Sequence, residues 1–96
     1  MDKGSFEAQM AKLRETFLER LARTLVEVDQ LAAEGRLQDI GNIAHRLKGS
    51  AASYGFEALG AAAKETEEML AKGSSGNISG ALDPLRTAIS AALATS

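Results

Sequence analysis

His45 is the only histidine of this 96-residue chain, and a lysine follows it three residues later in the run His45-Arg46-Leu47-Lys48-Gly49-Ser50-Ala51. Imidazole is partly neutral near pH 7 and can act as a nucleophile. On a helix, a lysine three residues further along lies beside the ring. Phosphoryl transfer depends mainly on positioning and on stabilising negative charge. The spacing therefore predicts that His45 accepts a phosphoryl group and that Lys48 stabilises its charge.

The apolar residues around His45 follow the period of a helix and leave His45 on its outer side. An α-helix turns about 100° per residue, which points His45 about 120° away from the middle of the apolar stripe. We therefore expect its imidazole to be exposed. The stripe predicted to be buried consists of Leu37, Ile40, Ala44, Leu47 and Ala51.

Small side chains surround His45 on this predicted helix. Residues three and four apart are neighbours on a helix surface. Glycine inside a helix costs about 1 kcal/mol relative to alanine, so glycines beside His45 indicate that another backbone or a bulky charged group comes close to the ring. The surface neighbours of His45 are Gly41, Asn42, Lys48 and Gly49, with Ala52 one turn further along.

Each of these features has an ordinary explanation when taken alone. A single histidine on a helix is usually a plain surface residue, a lysine beside it can be a solvated charge, and one glycine can be accidental. The combination of His45, Lys48 and two flanking glycines on an exposed face favours phosphoryl chemistry.

Two long amphipathic patterns cover the first half of the chain, and the second of them contains His45. Helix 1 is predicted over residues 5–34, as one helix or as a long helix with a break, with Ser5 as its N-cap and Gly35 at its end. Helix 2 runs from about Leu37 to Tyr54 and is ended by Gly55. The residues of helix 1 expected to face inward are Phe6, Met10, Leu13, Phe17, Leu21, Leu25, Val28 and Ala32.

Helix 3 follows helix 2 almost at once, so the two must be antiparallel neighbours. Its inward residues are predicted to be Phe56, Leu59, Ala63, Thr66 and Leu70, and its outer face Glu57, Lys64, Glu65, Glu67, Glu68 and Lys72.

The run from Lys72 to Asn77 is rich in glycine and serine and predicts a flexible loop before helix 4. For helix 4 we favour an irregular first turn followed by a regular helix over residues 84–94, with Asp83 as N-cap and Pro84 at the first helical position. In the alternative, the helix begins near residue 78 and loses one hydrogen bond at the proline.

Length and composition predict one all-α domain over residues 1–96. Hydrophobic residues make up 45% of the chain but aromatic residues only 4%, so the core must consist of aliphatic side chains and alanine, which suits helices better than sheets. Joined by short connections, the four predicted helices form an antiparallel four-helix bundle with up-down-up-down topology.

Composition also argues against several classes of function. A net charge of −2 does not fit a nucleic-acid surface. The lack of cysteine removes disulfides and thiolate metal sites, and one histidine without clustered carboxylates argues against a metal-dependent hydrolase. No apolar stretch approaches the ~20 residues of a membrane span, and charges recur through the N-terminus, unlike in a secretory signal. We expect a cytoplasmic protein with neither nucleic acid nor membrane as a partner.

The run from His45 to Ala51, followed by Gly55 and Leu59, resembles the signature of histidine-containing phosphotransfer (HPt) domains. The whole chain is similar in length and layout to one such domain. The resemblance implies a four-helix bundle that passes a phosphoryl group between aspartates of receiver domains. It also implies that His45 accepts this group through Nε2, that Lys48 stabilises its charge, and that Gly49 leaves room for the receiver.

By the same resemblance, the partners are response-regulator receiver domains and a sensor histidine kinase or hybrid kinase. The chain then needs no cofactor of its own, because the receiver supplies Mg²⁺ together with its aspartate. It has no glycine-rich nucleotide loop, so we expect a phosphocarrier without kinase activity rather than an enzyme. We also expect a monomer. The residues expected to border a docked receiver are Gly41, Asn42, Gly49 and Ala52 of helix 2, and Lys64 and Glu67 of helix 3.

Many members of this family carry glutamine or a similar polar residue on helix 3 near the histidine, whereas this chain has Lys64 and Glu67 on that stripe, so the role of Glu67 is open. Two alternatives remain. The chain could be the phosphoacceptor domain of a chemotaxis-type histidine kinase, although Met1 and the single-domain length favour a free-standing protein. It could also be a non-catalytic helical adaptor, which acid-labile phosphorylation of His45 would exclude.

Overall fold

The computed structural model describes residues 3–73 and 78–94, and in these ranges every regular element is a helix. Each helix packs against the next one along the chain, and α4 packs against α1, which closes an antiparallel four-helix bundle. The predicted fold class is therefore confirmed. The helices are α1 (Lys3–Ala33), α2 (Leu37–Ser53), α3 (Glu57–Ala71) and α4 (Ile78–Ala94).

Glycine residues end the first two helices, as the sequence predicted. Gly35 and Gly55 have positive φ angles of 71° and 81°, a conformation that glycine adopts without strain from a Cβ atom. The backbone N–H of Arg36 reaches back to the carbonyl of Leu31, and that of Phe56 to the carbonyl of Ala51, both at 2.9 Å. These bonds form the Schellman motif, which reverses the chain within three residues and makes neighbouring helices antiparallel.

The core is aliphatic apart from Phe17 and lies along the axis of the bundle. In α2 the predicted stripe is buried except for Leu37, which is half-buried at the edge, and Ile43 joins it. Thr66 of α3 is the buried polar residue among the described side chains. The largest fully buried side chains are Leu21, Val28, Ile40, Thr66, Leu82, Leu85 and Ile89.

A small aromatic cluster fixes α1 against the turn between α2 and α3. The ring of Phe17 stacks on Tyr54 with centroids 4.9 Å apart and on Phe56 with centroids 5.5 Å apart. Aromatic pairs at such distances contribute about 0.5–1.5 kcal/mol beyond their buried area. The cluster therefore sets where α1 lies along α2, the helix that carries His45.

The first half of α1 departs from the prediction. The helix is continuous, and Ser5 lies inside it rather than capping it. The expected inward residues Phe6 and Leu13 are 55% and 49% exposed. The reason is length, since the 31 residues of α1 span about 46 Å and the 17 residues of α2 span about 26 Å. Residues 3–16 therefore extend beyond the end of the bundle, and we call them the α1 overhang.

The favoured prediction for α4 is also wrong, and the alternative is confirmed. The helix begins at Ile78 and contains Pro84 in its interior, so Asp83 is not its N-cap. A proline inside a helix costs about 3 kcal/mol. Leu82, which lies before the proline, is fully buried, and its burial stabilises the fold by about 1.5–3 kcal/mol. This gain, together with the burial of Ala81, offsets the cost of the proline.

A buried hydrogen bond supports the same part of α4. The hydroxyl of Thr66 donates to the carbonyl of Ala81 at 3.0 Å, close to the turn that Pro84 disturbs. Residues 74–77 of the predicted flexible loop lie outside the described residues. No helix in the described part of the chain combines the length and apolar character needed to cross a membrane.

Candidate functional site

His45 lies near the middle of α2 on the side away from the core. Its neighbour Ala44 is fully buried and Leu47 nearly so, which prevents α2 from rotating about its axis. The side chain of His45 is 64% exposed, so the prediction of an exposed imidazole is confirmed. The ring is therefore accessible to another protein while its backbone is held by the core.

Glu67 of α3 holds the ring from one side. Nδ1 of His45 lies 2.7 Å from Oε2 of Glu67. An ionised carboxylate can only accept hydrogen bonds, so Nδ1 carries the proton and donates it. In the neutral ring Nε2 then keeps its lone pair. The contact thus selects the tautomer in which Nε2 is the nucleophilic nitrogen.

The same carboxylate also binds Lys48. Nζ of Lys48 donates to Oε1 of Glu67 at 3.1 Å, so each oxygen of Glu67 has one partner. The pKa of Glu67 is lowered from the ordinary value of 4.5, mainly because Lys48 hydrogen-bonds to it and also because His45 does, while partial burial opposes the shift. Glu67 is therefore ionised at neutral pH, as its hydrogen bond with Nδ1 requires.

The position of Glu67 corrects two expectations. Its side chain is only 28% exposed, whereas the sequence placed it on the solvated outer face of helix 3. The ammonium of Lys48 rests on this carboxylate, although the sequence suggested only that it lies beside the ring. The carboxylate of Glu67 thus lies between the ring of His45 and the ammonium of Lys48 and interacts with both.

Close packing of α2 against α3 brings Glu67 within reach. A Cβ atom added to Gly60 would lie 3.6 Å from the carbonyl oxygen of Lys48 and 3.8 Å from Cβ of Ala51. Ala63, one turn before Glu67, is fully buried. Small residues at these two positions let the backbones of α2 and α3 approach each other. Gly60 and Ala63 lie on the same stripe of α3 as Glu67, and this spacing was the signal in the sequence for the close approach.

The residues around His45 form a low surface, as predicted. A Cβ atom at Gly41 or Gly49 would meet no atom of the described residues within 4 Å outside its own turn of helix. Asn42 and Ala52 are exposed beside them. Packing within the described part of the chain therefore does not explain either glycine, and both leave open space next to the ring.

Lys64 is less closely associated with the site than expected. Its side chain is exposed, and among the described residues no hydrogen bond or ion pair joins it to His45, Lys48 or Glu67. Its predicted contact with a partner stays a prediction. Residues 3–73 and 78–94 contain no group of three or more histidine, cysteine, aspartate or glutamate side chains suited to a metal ion.

Comparison with known proteins agrees with this geometry. The family model of the Hpt domain matches residues 12–95. The match includes most of α1 and all of α2, α3 and α4, and therefore the residues His45, Lys48 and Glu67. No curated protein and no solved structure matches the chain.

Proposed function

This chain belongs to the Hpt domain family and so has a phosphotransfer role in two-component signalling, and from this premise we propose that His45 accepts the phosphoryl group of a receiver aspartate and passes it to a second receiver. The observation that carries the proposal is the hydrogen bond between Nδ1 of exposed His45 and the carboxylate of Glu67. It leaves Nε2 as the attacking nitrogen on an accessible surface.

The bonds and charges of the transfer step balance without a cofactor bound to this chain. The lone pair of Nε2 attacks phosphorus, an N–P bond forms, and the O–P bond breaks so that the aspartate leaves as a carboxylate. The ring becomes a phosphorylated imidazolium whose proton stays on Nδ1. Because Glu67 accepts that proton's hydrogen bond at 2.7 Å, its negative charge stabilises the positive charge that develops on the ring. The reverse step, toward the next receiver, breaks the N–P bond.

Lys48 contributes in two ways under this proposal. Its ammonium, 3.1 Å from Glu67, keeps that carboxylate ionised. It also lies one turn from His45 on the same helix, where it adds positive charge near the incoming phosphoryl group. The receiver supplies the aspartate and the Mg²⁺ that phosphoryl transfer requires.

The expected partners are receiver domains and a sensor or hybrid histidine kinase. The expectations of a monomer and of a cytoplasmic location stay predictions. The alternative of a chemotaxis-type phosphoacceptor domain uses the same His45 chemistry, and the phosphoryl donor distinguishes the two. Family membership argues against the non-catalytic adaptor.

The test is incubation of the protein with a panel of ³²P-labelled phosphorylated receiver domains. We expect acid-labile, base-stable label on the wild type and on a Ser90→Gln control, which changes an exposed residue of α4. His45→Gln should take no label and should keep the helical circular dichroism of the wild type. Label on His45→Gln would disprove the assignment, and label from ATP with a kinase domain but from no receiver would favour the chemotaxis-type alternative.

A further inference from the structure

The flank of α2 opposite Glu67 borders a concave surface. This groove lies between α1 and α2 and has a volume of about 650 Å³. Its floor includes Phe17, Leu21, Ile43 and Leu47, all of them buried core residues that show one edge to the groove. We call it the α1–α2 groove.

Arginine residues line the edges of the α1–α2 groove. Arg20 and Arg23 of α1 lie on one side of the groove, and Arg46 of α2 lies on the other. The lining contains one carboxylate, that of Glu27. Within the described residues, ion pairs occupy Arg36 and Arg86 but none of these three. A chain with a net charge of −2 thus concentrates free guanidinium groups at one groove. Guanidinium is the side chain best suited to bind carboxylates.

The groove is continuous with the low surface around His45. At about 100° per residue, Gly49 and Asn42 lie between His45 and Arg46 around the circumference of α2. Gly49 offers open space, so a partner that contacts His45 can extend over it without meeting a side chain. On the other flank, Lys48 and Glu67 already bind each other. The free polar groups beside His45 therefore lie toward the α1–α2 groove.

We propose that Arg20, Arg23 and Arg46 at the edges of the α1–α2 groove determine which receiver this chain accepts. They pair with carboxylates of an amphipathic receiver helix whose apolar side chains contact the floor of the groove. This inference rests on the proposed function. A groove between two helices with an apolar floor suits a helix laid into it, and the arginines select a partner helix that is acidic at its edges. Recognition of the partner is thus separate from the chemistry at His45 and Glu67.

The proposal changes the expected docking surface. The sequence placed the partner on α2 and on the stripe of α3 with Lys64 and Glu67. The groove instead directs the partner from His45 toward α1. Some transient signalling contacts bury less than about 1,200 Å² in total, an area that a partner can reach on one flank of α2.

Charge reversal with two phosphoryl donors tests the proposal. The Arg20→Glu/Arg23→Glu double variant should accept phosphate about 10-fold or more slowly from the receiver that transfers fastest to the wild type, because electrostatic steering works on that scale. Phosphorylation by the small donor phosphoramidate should be unchanged, since it needs no docking. Arg14→Glu is the matched control, because Arg14 is exposed on the same helix but lies outside the groove.

Transfer by the double variant within twofold of the wild-type rate would overturn the proposal, as would an equal loss with phosphoramidate or with Arg14→Glu. A wild-type protein that takes label from phosphoramidate but from no receiver would instead contradict the proposed function. Backbone amide shifts on titration with an unphosphorylated receiver give a second readout. We expect them in α1 and along the groove side of α2, and shifts confined to Gly60, Lys64 and Glu67 would overturn the proposal.

Discussion

At the scale of single residues, one carboxylate organises the site. Glu67 binds Nδ1 of His45 with one oxygen and Nζ of Lys48 with the other. The carboxylate orients the ring and defines its tautomer, and the lysine keeps the carboxylate charged. A glutamine here could accept the hydrogen bond from Nδ1 but could not balance the charge of a phosphorylated imidazolium.

The lowered pKa of Glu67 predicts a pH dependence of stability. Because the pKa is lower in the folded state than its ordinary value of 4.5, the ionised carboxylate stabilises the fold above that pH. The stabilisation is lost as the pH falls through the folded-state pKa. Urea unfolding should therefore show the wild type to be more stable than Glu67→Gln at pH 7, with a smaller difference at pH 3.

Lys48→Ala is the companion variant, because Lys48 is the main cause of the lowered pKa. In this variant the carboxyl ¹³C resonance of Glu67 should titrate at a higher pH than in the wild type. An unchanged titration would show that Lys48 does not act on Glu67 in solution.

At the scale of the elements, α2 presents the site and α3 supports it. The glycines of the two helices have different roles. Gly49 faces open space, whereas Gly60 packs against the backbone of α2. One glycine thus leaves room for a partner, and the other allows the approach that places Glu67 beside His45.

Substitution of these two glycines should therefore have opposite effects. Gly49→Gln should not lower the melting temperature, since glycine is the poorer helix former by up to about 1 kcal/mol, but it should slow transfer from a receiver. Gly60→Gln should lower the melting temperature, because its longer side chain meets α2 where a Cβ atom is already in contact. Thermal unfolding and receiver transfer rates measure both. Wild-type transfer by Gly49→Gln would mean that the glycine does not serve close approach.

At the scale of the whole molecule, one end of the bundle differs from the rest. Phe17 is buried in the aromatic cluster, while Phe6 in the α1 overhang is 55% exposed. The apolar stripe of α1 thus continues beyond the helices that could cover it. The core, and with it the position of α2, depends on the part of α1 from Phe17 onward.

Truncating each of the two phenylalanines checks this division. Phe17→Ala should destabilise the protein by about 3–5 kcal/mol, as expected for a large aromatic side chain removed from a core. Phe6→Ala should change stability by no more than about 0.5 kcal/mol, as for most surface positions. Chemical denaturation of both variants is the measurement, and equal losses would show that the overhang packs in solution.

The sequence alone was enough to predict that there are four helices, that glycine turns end the first two, that one stripe of α2 is buried and that His45 is exposed. These properties follow from periodicity and local backbone preference, which a linear sequence contains. Three features became clear only from the packed bundle: Glu67 faces His45 and Lys48, α1 is longer than the helices it packs against, and Pro84 lies inside α4. These features depend on how closely the helices pack and on which side chains become buried. Both are set by contacts between residues that are far apart in the sequence. Helical spacing can place a residue on a face, but only the packing of the bundle decides which helix that face meets.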